Sequence, residues 1–126
     1  MINNSRQPGF NFAACMKSFI YAWQGLAEII RKQHNFWIHL SVAGIVIVFG
    51  LVVGIAVQEW LAIILVIGFV LSAETMNTAL EYFVDLVSPK YHELAGKVKD
   101  IAAGAVLIAA ITAVIIGLIV FIPKVF

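Results

Sequence analysis

The chain reads as an all-α integral-membrane protein, with an N-terminal amphipathic surface helix followed by three transmembrane helices. Three observations carry that expectation. Of 126 residues, 63% are hydrophobic and only 12% charged, a balance outside the soluble globular range. Residues 36–57 and 101–122 are each 22 residues long without a formally charged group, and about 20 apolar residues cross a hydrocarbon core of about 30 Å. Between them, residues 60–73 read W-L-A-I-I-L-V-I-G-F-V-L-S-A before the sequence turns abruptly ionic at Glu74.

Charge and cysteine content exclude other classes. A formal net charge of +1 argues against a nucleic-acid partner, because phosphate binding needs a clustered basic surface. The single cysteine, Cys15, excludes an intrachain disulfide. The first thirty residues hold no unbroken apolar core ahead of a small-residue cleavage site, so the chain is expected to remain whole. The whole chain forms one membrane domain, without internal repeats.

Residues 1–9, M-I-N-N-S-R-Q-P-G, are polar and close on Pro-Gly, which marks a flexible start. From Phe10 to Lys32, Phe12, Met16, Phe19, Trp23, Leu26 and Ile30 recur every three or four residues, while Lys17, Gln24, Glu28 and Arg31 hold the other side. That period predicts a helix lying in the membrane interface, completing a first segment of residues 1–32.

Gln33-His34-Asn35 interrupts, and 36–57 forms the first span. Gly44, Gly50 and Gly54 within it are expected to let another helix approach. His39, one turn inside the membrane edge, reads as a neutral interfacial residue, since no second His or Cys stands at ligand spacing on its helix. A short turn at Gln58-Glu59 sends the second span, 60–87, back antiparallel, with Trp60 at the interface. Ser88-Pro89 ends that span, and a new helix is expected from about Lys90 within the 88–100 loop segment. In the third span, 101–122, Ala105, Ala109, Ala113 and Gly117 form a small-residue stripe suited to close packing.

Cations set the expected orientation. Arg6, Lys17, Arg31, Lys32, Lys90, Lys97 and Lys99 fall on one side of this topology and only Lys124 on the other. The positive-inside rule makes the N-terminus and the 88–100 loop cytoplasmic.

The candidate site is E-T-M-N-T-A-L-E-Y-F-V-D, residues 74–85. Glu74, Asn77, Glu81 and Asp85 are spaced by three, four and four residues, which aligns them on one side of a helix. Fourteen apolar residues before Glu74 cover about 21 Å at about 1.5 Å each, which sets Glu74 deep in the bilayer and Glu81 near its edge. Ionisable groups at such depth are costly and are kept for function. Carboxylates with an amide between them and lysines nearby suit divalent-metal binding and phosphoryl transfer. No Walker sequence or glycine-rich nucleotide loop occurs. From spacing alone, a phosphotransferase, an ion or proton channel and a non-enzymatic membrane subunit all stay open.

The 74–85 block followed by Y-H-E-L-A-G-K-V-K-D at 91–100, together with Y-A-W-Q-G-L at 21–26 and N-F-W-I-H at 35–39, resembles the prokaryotic diacylglycerol kinase family, which includes the undecaprenol kinases. The resemblance implies a homotrimer with active sites between subunits in a bacterial inner membrane. It further implies transfer of the ATP γ-phosphoryl to a membrane lipid alcohol, undecaprenol or diacylglycerol, with Mg²⁺ as cofactor. On the matching positions it makes Glu74 the base acting on the lipid hydroxyl and Glu81 a metal ligand. Asn77, Lys99, Asp100 and Tyr21 become nucleotide contacts, with Lys17, Asp85, His92 and Glu93 supporting. Gln33 stands where many relatives carry a second metal-binding Glu, Trp37 where an Arg is common, and Ala14 near a usual basic position. An amide at Gln33 brings an oxygen ligand without charge, which implies weaker Mg²⁺ binding. The alternative implied by that change is a metal-dependent undecaprenyl (pyro)phosphate phosphatase. N-F-W-I-H favours the undecaprenol branch.

Overall fold

A computed structural model describes Gly9 and residues 11–126. The flexible start at 1–9, except Gly9, falls outside the described residues, and Arg6 and Phe10 with it. The described chain is four helices, α1 (Phe12–Lys32), α2 (His34–Val53), α3 (Val57–Val87) and α4 (Glu93–Val125). α2, α3 and α4 are each long and apolar enough to cross a membrane, and most of their large apolar side chains point outward. Such an exterior suits lipid, and the protein is a membrane protein.

Local chemistry sets each boundary. Asn11 caps α1, its side-chain oxygen accepting from the N–H groups of Ala13 and Ala14 at 3.0 and 3.3 Å. The break after α1 narrows to Gln33 alone, whose extended backbone closes one helix and opens the next. Trp37 fixes this corner by donating its indole N–H to the carbonyl of Ile30 at 2.6 Å, which satisfies one of the orphan acceptors at a helix end.

The α2–α3 turn lies earlier than Gln58-Glu59. α2 ends at Gly54, whose φ of 73° only glycine adopts without strain. Glu59 instead belongs to the first turn of α3, where its carboxylate accepts from the backbone N–H of Ala56 at 2.6 Å. The helix expected from Lys90 starts at Glu93, because His92 is its N-cap, with Nδ1 accepting from Leu94 N–H at 3.2 Å. From there α4 runs unbroken into the third span.

α3 and α4 form the closest helix pair, an antiparallel hairpin with an ion pair near each end. Lys99 bonds Asp85 at 2.5 Å beside the linker, and Lys124 meets Glu59 at 3.2 Å at the far end. The apolar core gathers at that far end around Ile55, Ile63 and Val120, with Trp60, Ile116 and Phe121 packed on it. The buried line of α4 is Ala102, Val106, Ala109 and Val120, while Ala105 is exposed. A strict four-residue spacing drifts about 40° per step around a helix of 3.6 residues per turn. The stripe is therefore off the contact face at Ala105, fully buried at Ala109 and half-buried at Ala113 and Gly117.

Gly50 and Gly54 do separate jobs. A Cβ on Gly50 would stand 2.9 Å from Trp60 Cη2 and 3.2 Å from Ile55 Cδ1, so the glycine makes room for the indole, whereas Gly54 ends the helix. Gly50→Val is expected to destabilise by about 1–3 kcal/mol through overpacking. Thermal unfolding in detergent checks this; an unchanged midpoint would mean that Trp60 swings away freely.

Candidate active site

The polar cleft lies toward the end of the hairpin opposite the apolar core. α3 is buried at Glu74, Asn77 and Thr78, with 3%, 6% and 2% of their surfaces exposed, because this part of the helix faces α4. The three-, four- and seven-residue offsets from Glu74 bring Asn77, Thr78 and Glu81 to neighbouring positions over two turns. Asn77 Nδ2 donates to Glu81 Oε1 at 3.1 Å. The amide oxygen of Asn77 and the hydroxyl of Thr78 have no partner, and a buried polar atom left unpaired is costly.

A cleft of about 280 Å³ opens beside these groups, lined by Asn35 and His39 from α2, Glu74, Asn77 and Glu81 from α3, and Ala103, Val106, Leu107 and Ala110 from α4. Its two kinds of wall are chemically distinct. The polar wall belongs to α2 and α3; the α4 wall is apolar. Such a cleft can hold a polar head against the carboxylates while an apolar tail lies on α4.

Asn35 and His39 line the cleft although neither is among the site candidates of the sequence, where His39 reads as a neutral interfacial residue. They stand four apart and share one face of α2, and tertiary packing sets that face against Glu74. The four-residue spacing of Asn35 and His39 among the few polar residues of α2 was the available signal.

The remaining site candidates lie outside this cleft. Asp85 and Lys99 form their ion pair around a second cavity of about 230 Å³, lined also by Ser88, Lys90, Tyr91 and His92. His92 caps α4, and Glu93 pairs with Lys97 at 2.7 Å. Asp100 is exposed one residue beyond Lys99. Tyr21, 66% exposed, and Lys17 lie on α1, while Gln33 is half-buried at the α1–α2 corner. The expected nucleotide and metal residues therefore divide within one chain into a cleft group, a linker group and an α1 group.

Oxygen donors in the cleft fit a hard divalent cation. Glu81 offers one carboxylate, and Asn77 an amide oxygen with no other partner. Among the described residues no three His, Cys, Asp or Glu side chains gather into a metal cluster. Mg²⁺ does not require one, since it usually keeps several waters and takes only one or two carboxylates beside substrate phosphates.

Three apolar helices with a carboxylate–amide cleft between them define a membrane-embedded helical protein with a polar site among its helices. Comparison with known proteins makes this class specific. The family model described as prokaryotic diacylglycerol kinase matches residues 20–121. The chain is 44% identical over 108 residues to the undecaprenol kinase of Bacillus subtilis (strain 168), covering 86% of this chain and 88% of that protein. It is 45% identical over 101 residues to a diacylglycerol kinase of Synechocystis, covering 79% of this chain and 58% of that protein. With the diacylglycerol kinase of Escherichia coli (strain K12) it shares 31% identity over 119 residues, 91% of each chain. This chain belongs to the prokaryotic diacylglycerol kinase family. The matched span contains every cleft residue and the linker group, whereas Lys17 precedes it.

Proposed function

We propose that this protein is a lipid kinase that transfers the γ-phosphoryl of ATP to a membrane lipid alcohol, undecaprenol or diacylglycerol, at the cytoplasmic face of a bacterial inner membrane. The observation that carries this reading is the buried Glu74 sharing one cleft with the Asn77–Glu81 pair and an apolar wall. Relatives named as kinases support phosphoryl transfer over the phosphatase and subunit readings. The cation distribution along the sequence supports a cytoplasmic N-terminus.

Glu74 is the base. It takes the lipid hydroxyl proton as that oxygen bonds to the γ-phosphorus and the bond to the ADP oxygen breaks. Glu81 is the charged ligand for Mg²⁺, with the unpartnered oxygen of Asn77 beside it; bound Mg²⁺ would neutralise charge on the phosphates. Lys99, held by Asp85, contacts the nucleotide with Asp100, while His92 and Glu93 order the start of α4. Tyr21, Lys17 and Gln33 lie apart from the cleft of their own chain, an arrangement that suits sites completed between subunits of a homotrimer. α1, carrying large apolar side chains such as Phe12, Phe19 and Trp23 at its exposed surface, serves as the amphipathic helix on the membrane surface.

Transfer of labelled γ-phosphate to undecaprenol and diacylglycerol in mixed micelles, across a Mg²⁺ titration, tests the reading. The wild type is expected to label at least one lipid, with undecaprenol preferred. Gln33→Glu is expected to lower the Mg²⁺ concentration for half-maximal rate several-fold, because it adds a charge to a neutral ligand. Failure of both proteins to label either lipid would overturn the kinase assignment; an unchanged Mg²⁺ dependence would remove Gln33 from the metal site.

A further inference from the structure

His39 is the one imidazole that lines the cleft, and the reaction as derived so far does not use it. It sits on α2, while the carboxylates it faces belong to α3, so only tertiary packing brings them together. The titratable groups around it are Glu74 and Glu81 from α3; α2 adds the neutral Asn35, and α4 adds only apolar side chains. His39 is half-buried and has no hydrogen-bond partner among the described contacts to any other side chain or backbone group. Glu74 is buried, and its carboxylate likewise accepts no hydrogen bond among the described residues. Asn77 is engaged with Glu81. The cleft holds two donors free for the Glu74 carboxylate, the exposed amide of Asn35 and the half-buried ring of His39; the imidazole is the more enclosed of the two and keeps one N–H donor even when neutral.

The geometry points to His39 as a positioning residue for phosphoryl transfer, whose ring N–H holds the Glu74 carboxylate in the cleft where the lipid hydroxyl must arrive. The proposal rests on the kinase reading and deepens it by giving the base its partner. A carboxylate on a flexible side chain loses rate steeply when it departs from the attack geometry. Locking its orientation from a second helix answers that need, and the contact also couples the α2 face to the reacting end of α3. His39 acts through Glu74 and leaves the nucleotide to other residues, so its loss should appear in kcat rather than in the KM for ATP.

Two measurements on the full-length protein in detergent test this. In the first, His39→Ala is expected to lower kcat about 10- to 100-fold with KM for ATP within about twofold of wild type, and His39→Gln, which keeps an N–H donor, to recover part of the loss. A His39→Ala protein with wild-type kcat, a defect confined to KM for ATP, or equal loss in Ala and Gln variants of native oligomeric state would overturn the role. In the second, the ¹⁵N resonances of the His39 ring, assigned by their disappearance in His39→Gln, are expected to shift in Glu74→Gln and to stay in place in Asp85→Asn. This readout requires no turnover, so it separates failure of the contact from failure of the kinase reading. Ring resonances indifferent to Glu74→Gln would refute the contact even in an active kinase.

Discussion

Glu74→Gln is expected to reduce phosphate transfer to the lipid by about 10²- to 10⁴-fold, the contribution of a positioned general base. The change is nearly isosteric, and the side chain is only 3% exposed, so the helix keeps its packing and loses only the ability to take a proton. Because Glu74 has no side-chain hydrogen bond on α3 while Asn77 and Glu81 bond each other, the rest of the cleft should stay in place. The diagnostic combination is lost lipid labelling with unchanged KM for ATP, native oligomeric state and native thermal midpoint. A Glu74→Gln protein that still transfers phosphate within tenfold of wild type would show that another group takes the hydroxyl proton. Loss of activity together with loss of the fold would call for Glu74→Asp, which keeps the carboxylate, shortens the reach and is expected to retain partial activity.

Glu81→Ala is expected to be comparably severe for a different reason. It removes the charged ligand for Mg²⁺ and also deprives Asn77 Nδ2 of its acceptor at 3.1 Å, leaving a second atom of that buried amide unpaired. Glu81→Gln separates the two effects, since it keeps an acceptor for Asn77 and loses only the charge. If the metal role holds, both variants lose turnover by about 10²-fold or more and need more Mg²⁺ for whatever rate remains, while only Glu81→Ala is less stable. An active Glu81→Ala enzyme with an ordinary Mg²⁺ profile would eliminate Glu81 as a ligand. These effects should not add to those of Glu74→Gln, because both residues serve one transition state.

Much of the site was legible along one helix. The 74–81 segment shows its carboxylate–amide stripe directly, because side chains three and four apart must neighbour each other on an α-helix. The cost of ionised groups at membrane depth makes the stripe a candidate site without reference to any neighbour. Asn35 and His39 escaped for the complementary reason: their relation to Glu74 lies between helices, and no periodicity within α2 reveals which of its faces meets α3. The Asp85–Lys99 pair shows the same limit. Both residues belong to the motif, yet only closure of the α3–α4 hairpin brings positions fourteen apart to 2.5 Å.

The boundaries divide in the same way. Long uncharged stretches locate spans, since hydrocarbon requires an internally bonded apolar helix, and all three span-length helices are present. The turns depended on finer competition. Gly54 ended α2 because a positive φ favours glycine, and His92, not Pro89, set the start of α4 by capping a free N–H. Of the equally spaced Ala105, Ala109, Ala113 and Gly117, Ala109 is fully buried and Ala113 and Gly117 half-buried, while Ala105 is exposed, since a four-residue repeat rotates about a straight contact line.

The sequence by itself determined that this is a helical membrane protein with one ionic stripe, because hydropathy and helical spacing are properties of neighbouring residues and need no partner. Only tertiary structure decided which helices wall the cleft, why Gly50 must lack a side chain beside Trp60, and that His39 faces Glu74. Those facts depend on how one helix rotates against another, and that rotation is set by the sum of many interhelical contacts rather than by any one segment.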